Sequence, residues 1–340
     1  MHEHRARLGN LSEGSLLVDE RFLRQVATFY YIEGKTQENI ASLLSCSRQT
    51  ISQALHKAED RGIVRIAVQP EERVGYLHAL ARDLRFRLGC QEVILVPGSY
   101  VENAEANEEV VTALADATAL YLDDQLQHGD VLAVTNGKRI LKQFHHRLMP
   151  SKYLPDVRVV STTGFTETRA LPKADANVIA DIIGNAYRGR SAWLPIPALV
   201  HTQAQREQVH HLPLVRDVLA VLEQATLLLM EVGPVDLDHD LVKQAMLSSE
   251  QIMALQQAHP VAEVNHWLFD AAGRSLHELL PYAVTGLEIP HLTRHPLTIL
   301  VAGASRACLS AIQAIINTGF VDVFITDQMT AFFLNERGGC

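Results

Sequence analysis

The sequence predicts an α/β protein in two parts. A small N-terminal helix-turn-helix (winged) domain precedes a Rossmann-like α/β domain with helices on both faces of a parallel sheet. Three observations predict this. Residues 35–65, KTQENIASLLSCSRQTISQALHKAEDRGIVR, read as two short helices, a tight turn between them, and the start of a strand. From Cys90 onward, short apolar runs alternate with helical stretches, the pattern of a parallel sheet covered on both faces. The chain has 340 residues, 47% apolar and 20% charged, enough for a large core and a small module.

Residues 1–18 read as a disordered tail, and residues 19–69 as the helical domain. Its first helix, over residues 20–33, turns Phe22, Val26, Phe29 and Tyr30 toward a core. Thr36 is placed to cap the next helix, whose apolar face carries Ile40, Leu43 and Leu44. Ser45, Cys46 and Ser47 make the turn, and Ser47 is placed to cap the following helix. That helix repeats Ile51, Ala54, Leu55 and Ala58 at helical spacing, Gly62 stops it, and residues 63–68 alternate as a strand would. In such a motif the second helix lays its N-terminal residues against base edges in the major groove of DNA. The candidate DNA contacts are Lys35, Thr36, Gln37, Arg48, Gln49, Thr50, Ser52, Gln53, His56 and Arg65. Arg and Gln carry the forked donors and acceptors that match G and A. A helical packing unit with a polar face is the alternative.

Residues 70–89 read as a linker helix. Val74, Leu77, Ala81, Leu84 and Leu88 recur by three and four, which suits a short coiled-coil seam between two chains. The same spacing also suits an amphipathic helix packed on its own domain. Residues 90–340 form the second domain. Strands are expected at Val93–Val96, Val131–Thr135, Val157–Thr162, Leu227–Val232, Thr298–Ala302 and Val323–Thr326. Helices are expected at Glu105–Leu126, Lys138–Arg147, Asp175–Tyr187, Leu214–Gln224, Ser305–Asn317 and Gln328–Asn335. Ligands of such sheets bind beyond the carboxyl ends of the strands.

The net charge of -9 hides an asymmetry. Residues 1–70 hold nine Lys and Arg against eight Asp and Glu, so the acidic excess belongs to the rest of the chain. DNA affinity needs a local basic surface, not a basic whole. No apolar run reaches the length of a membrane span and the N-terminus has no hydrophobic signal region, so a cytoplasmic protein with no membrane partner is expected. Cys46, Cys90, Cys308 and Cys340 show no paired spacing, and the 16 His form no metal-binding signature. Neither a metal nor a cofactor is expected.

Four segments stand in order along the chain. The first is Ala27-Thr28-Phe29-Tyr30-Tyr31, then Gly34-Lys35-Thr36-Gln37 and Ile40-Ala41. The second is Gly129-Asp130-Val131-Leu132-Ala133-Val134, leading to Gly137. The third is Phe269-Asp270-Ala271-Ala272-Gly273. The fourth runs from Val301-Ala302-Gly303 through Ala311-Ile312 to Ile325-Thr326-Asp327 and Thr330-Ala331. Together they give the chain a resemblance to the SorC/DeoR-type bacterial transcriptional regulators, over roughly residues 20–335.

The resemblance implies an effector domain like the sugar-phosphate isomerase and deaminase fold with its chemistry lost. It implies a repressor or activator of a carbohydrate or polyol operon, a sugar or sugar-phosphate effector, and a homodimer or homotetramer on operator DNA. No catalytic residue is expected, because no base stands in a recognisable setting. An isomerase-like enzyme, or a DNA-binding protein with a vestigial pocket, stays open.

The expected effector residues are Asn136, Gly137, Lys138, Arg139, Thr163, Gly164, Asp270, Gly303, Ser305, Arg306 and Asp327. The loop after the second strand reads Thr135-Asn136-Gly137-Lys138-Arg139, where the family commonly has a glycine-rich loop ending in Thr. Lys138 and Arg139 at a helix start would suit an anion, and a phosphorylated effector is expected on that ground. An unphosphorylated ligand stays open. Arg306 falls about where the family carries Lys, and Asp270 and Asp327 are expected to read hydroxyls.

Overall fold

The computed structural model describes residues 16–64, 74–98, 107–165, 175–235, 248–289 and 296–336. Residues 1–15 of the expected tail, the strand residues 65–68 with Arg65, and Cys340 lie outside the described residues, whereas Leu16 and Leu17, expected in the tail, are buried in the core of the helical unit. The chain divides into two compact units, residues 1–71 and 72–340.

In the first unit, α1 (Glu20–Ala27) continues through a π-helical turn over Thr28–Ile32. Two helices follow, α2 (Gln37–Leu44) and α3 (Arg48–Asp60). Thr36 caps α2 by accepting from the Asn39 N–H, and Ser47 caps α3 by accepting from the Thr50 N–H. Between them Ser45 adopts φ 53°, the left-handed conformation that reverses the chain after α2. Phe22, Leu23 and Val26 pack with Ile40, Ala41, Ile51, Ala54, Leu55 and Ala58 into one core. Leu43, expected on the buried face of α2, is 44% exposed.

The second unit opens with α4 (Val74–Leu88) and β1 (Glu92–Val96), then α5 (Glu108–Gln125) and β2 (Val131–Val134). A 3-10 turn at Leu141–Gln143 leads to the single turn α6 (Phe144–Arg147), then β3 (Arg158–Ser161), α7 (Ala176–Ala186), β4 (Arg190–Ala192) and β5 (Leu199–Val200). Next come α8 (Gln203–His210), α9 (Pro213–Leu222), β6 (Leu227–Glu231) and α10 (Ser249–Gln257). A hairpin of β7 (Ala262–Val264) and β8 (Trp267–Phe269) follows, then β9 (Ala283–Val284). The unit ends with β10 (Leu297–Val301), α11 (Leu309–Asn317), β11 (Val323–Asp327) and α12 (Gln328–Glu336).

Seven of these strands form one parallel sheet in the order β1-β11-β10-β6-β2-β3-β4. Side chains alternate between two cores, one on each face. Val131, Ala133, Leu228, Met230 and Leu300 face one core, with α4, α9, α11 and α12. Leu132, Val134, Leu227, Leu229 and Ile299 face the other, with α5 and α7. The central strands are therefore apolar on both faces, which is why they read as unbroken apolar runs. β2, β6 and β10 lie side by side although 165 residues separate Val131 from Pro296 in the sequence, so three loops distant in the chain meet at their carboxyl ends.

Two expectations are corrected here. Leu80 and Leu84 of α4 are buried in the core that also holds Val93, Phe324 and Leu334. Ala81, Leu84 and Leu88 of the expected seam thus pack on the helix's own unit, the second of the two readings of this spacing. Lys138–Arg147 is not one α-helix. Residues 138–140 are irregular, and the turns that follow are 3-10 before α6. Leu84→Ala should lower the unfolding free energy by about 2–5 kcal/mol, the usual loss for a buried leucine. Denaturant titration of the variant checks this, and a changed oligomeric state with an unchanged midpoint would contradict it.

Candidate effector cavity and DNA-facing helix

The loop after β2 is organised by one side chain. Glu231 ends β6 as the only charged residue of an apolar strand and is 3% exposed. Its carboxylate accepts four successive backbone N–H groups, those of Lys138 (2.9 Å), Arg139 (2.7 Å), Ile140 (2.9 Å) and Leu141 (3.0 Å). Those are the amides that begin a helical turn and have no partner within it. Burial pushes the Glu231 carboxyl above its ordinary range, and the four N–H groups pull against that shift. With two N–H groups on each oxygen, the carboxyl acts purely as an acceptor, the role of the ionised form.

The β7–β8 hairpin closes over the same loop. Its two-residue turn, Asn265 (φ 48°) and His266 (φ 67°), is left-handed at both positions, as the twist of a tight hairpin demands. The hairpin bonds to the end of β6 through paired backbone groups of Gly233 and Glu263. Asn265 accepts from the Asn136 N–H and donates to Thr162 Oγ1. Lys138 Nζ lies 2.5 Å from Glu263 Oε2, and His266 Nδ1 is 3.8 Å from the other carboxylate oxygen. Burial pushes Glu263 up, but the charges of Lys138 and His266 and their hydrogen bonds outweigh it and hold the carboxyl below its ordinary value.

These loops bound a cavity of about 380 Å³ at the carboxyl ends of β2, β6 and β10. Lys138, Arg139 and Ile140 line it after β2, and Glu231 to Val235 after β6. Ala302, Gly303, Ser305, Ala307 and Cys308 line it after β10, Val111 from α5, and Glu263, His266 and Leu268 from the hairpin. Burial pushes the Cys308 thiol up to about 11, so it is a neutral wall of the cavity.

Four expected effector residues line this cavity: Lys138, Arg139, Gly303 and Ser305. The other seven do not. Asn136 accepts from the Ala176 N–H at the start of α7, and a side chain on Gly137 would meet Leu141 and Ile179. Gly164 lies against the backbone of Ile196, which a Cβ would strike at 2.0 Å, and Thr163 beside it is buried. Asp270 accepts from the Ala272 and Arg274 N–H groups and pairs with the Arg274 side chain, so it closes a turn. That turn packs at the C-terminal end of α11, where Gly273 approaches Ala314 and Thr318. Arg306 stacks on the Phe333 ring at 4.4 Å.

Asp327, 2% exposed, caps α12 by accepting from the Met329 and Thr330 N–H groups, and it also holds the Ala304 N–H. Gly303 (φ 155°) and Ala304 (φ 62°) wrap around it, and a Cβ on Gly303 would come within 2.4 Å of the carboxylate. Sequence reasoning missed Glu231, Glu263 and His266. A lone glutamate ending the run LLLM was a visible signal for the first.

In the first unit, Arg48, Gln49, Gln53 and His56 are exposed on α3. Thr50 is not. It is 2% exposed and its hydroxyl lies 2.6 Å from that of Ser47, inside the cap. Arg48 pairs with Glu38 at 3.2 Å, and Lys35 pairs with Glu33 and lies over the Phe29 ring. Tyr31 donates to Glu59 at 2.7 Å, a bond that pushes the phenol up to about 12. It ties the end of the π-helical turn to α3.

A two-unit chain with a ligand-sized cavity at the ends of a parallel sheet is the architecture of an effector-binding domain fused to a small helical module. Residues 72–334 match the family model described as "Putative sugar-binding domain". The chain is 26% identical over 326 residues to YjhU, an uncharacterized transcriptional regulator of Escherichia coli K12, covering 95% of this chain and 96% of that protein. It is 27% identical over 308 residues to the deoxyribonucleoside regulator of Bacillus subtilis, covering 90% and 95%. The fold resembles the full-length sorbitol operon regulator SorC of Klebsiella pneumoniae, with a TM-score of 0.68 at 20% identity, over 92% of this chain and 98% of that one. The chain belongs to the SorC/DeoR-type sugar-binding transcriptional regulators. It stands with regulators and not with enzymes.

The Glu263 pair makes a pH prediction. Because the folded carboxyl lies below its ordinary value of 4.5, its contribution is fully present above that value and is lost as pH falls through the lower folded value. The stability advantage of wild type over Glu263→Gln should be largest near neutral pH and shrink below pH 4.5. Thermal unfolding of both proteins over a pH series checks it.

Proposed function

We propose that this protein regulates transcription of a carbohydrate or polyol operon, reading operator DNA with α3 and sensing a small sugar-type effector in the cavity at the ends of β2, β6 and β10. The cavity carries the effector half of this reading. It has the size and the mix of apolar wall and few polar groups of a small-molecule site, it lies where ligands of parallel sheets bind, and it belongs to a domain of a sugar-binding family. Lys138, Arg139, Glu263, His266 and Ser305 supply donors and acceptors for hydroxyl groups. Among similar proteins are a deoxyribonucleoside regulator and a sorbitol operon regulator, which supports an effector of that class.

The DNA half rests on the two capped helices and the exposed face of α3. Gln49 and Gln53 lie one turn apart there, with Arg48 at the N-terminus. Ser52 and His56 extend the face, and Lys35, Thr36 and Gln37 flank it at the start of α2. Arg48 and Lys35 would exchange their present carboxylate partners for phosphates on DNA. A homodimer or homotetramer would place two such helices in successive major grooves, joined through a face other than the buried seam of α4. A cytoplasmic location goes with this role. An effector that binds the DNA-competent and incompetent assemblies unequally would shift the population between them.

Gln49→Ala should relax base preference at one operator position by about 1–3 kcal/mol. Arg48→Ala should instead weaken binding to operator and scrambled DNA alike and reduce the salt slope by about one contact. Binding titrations over a salt series separate the two. Unchanged affinity in both variants would remove α3 from the interface.

A further inference from the structure

We infer that the effector is an uncharged, hydroxyl-rich molecule, a free sugar or polyol, and that Glu231 permanently fills the position where a phosphate would bind. This deepens the proposed function and rests on its assignment of the cavity as the effector site.

Four successive backbone amides that converge on one point, with two cations beside them, are what an anion seeks. Here those four amides already point at the two oxygens of Glu231, at 2.7–3.0 Å. The chain brings its own anion to this position from the end of the neighbouring strand. A phosphate could not reach the amides without expelling a carboxylate that is covalently attached and buried. Left in place, that carboxylate would face the phosphate as a like charge, which costs several-fold to many-fold in affinity.

The cations are balanced as well. Lys138 is bound to Glu263 at 2.5 Å. His266 faces the same carboxylate at 3.8 Å, so the Lys138 and His266 side chains of the lining are turned to Glu263, and Glu231 adds a second carboxylate. Arg139 is exposed at the rim, where its guanidinium can donate to hydroxyl oxygens and its charge is screened by solvent. The loop after β10 follows the same rule. Its Ala304 N–H and the first amides of α12 are taken by Asp327. The amides at two loop ends are taken by internal carboxylates, and what remains open is a cavity whose lysine is already paired.

Inorganic phosphate tests the nest, and paired sugars test the ligand. Phosphate should leave the thermal unfolding of wild type unchanged. Glu231→Gly removes the internal anion, so that variant should unfold at lower temperature and recover on addition of phosphate. Glu231→Gln keeps the shape, so phosphate should not rescue it. This variant also serves if the glycine variant fails to fold. In calorimetry with wild type, one sugar or polyol of a panel should bind at least about tenfold more tightly than its phosphate ester, the like-charge penalty, and the same compound should change operator affinity.

A phosphate ester that binds wild type as tightly as its parent, or inorganic phosphate that stabilises wild type as much as the glycine variant, overturns the inference. An ester that also changes operator affinity would leave the proposed function standing. If no sugar, polyol or ester binds wild type or changes operator affinity, the effector reading of the cavity fails and this inference fails with it.

Discussion

The site depends on a carboxylate buried among four amides. Glu231 links the end of β6 to the start of the turn after β2, and in doing so fixes the floor of the cavity. Leaving those groups unsatisfied would be costly, since buried donors and buried charges each need partners. One carboxylate solves both problems at once. The turn that follows is wound as 3-10 over Leu141–Gln143 before α6 begins. The direction of Lys138 follows too, because its N–H is held by Glu231 and its Nζ by Glu263.

A second constraint comes from the hairpin. Asn265 and His266 occupy left-handed backbone that residues other than glycine adopt at a cost. The cost is met by contacts on every side. Asn265 bridges to Asn136 and Thr162, and the carbonyl of His266 accepts from the Tyr282 hydroxyl. The hairpin tip is thus a rigid wall of the cavity, and the glutamate–lysine pair across it is set by backbone as much as by charge.

Much of the architecture was legible in the sequence. The six expected strands lie within a residue or two of their observed limits, because buried parallel strands are apolar on both faces and stand out as runs. Thr36 and Ser47 cap the helices they precede, since capping acts over three residues. The short strands β4, β5 and β9 and the β7–β8 hairpin were not read. Their two or three residues carry no periodicity, and an Asn-His turn lacks the glycine that marks a tight hairpin. The spacing of α4 was read correctly as amphipathic, yet it could not say which surface the apolar stripe would meet.

The site shows the same division. Sequence determined that the ends of β2 and β10 carry the loops of interest, and that Lys138, Arg139, Gly303 and Ser305 belong to them. It also marked Asp270 and Arg306, whose side chains turn instead to Arg274 and Phe333. Only the tertiary structure decided which charges meet. The strand order sets β6 beside β2, so Glu231 reaches amides 90 to 93 residues away in the chain, and the hairpin sets Glu263 against Lys138 across 125 residues. Local sequence fixes helices, strands and caps because those depend on neighbours a few residues apart. The charge of the cavity depends on pairs that only the closing of the sheet brings together.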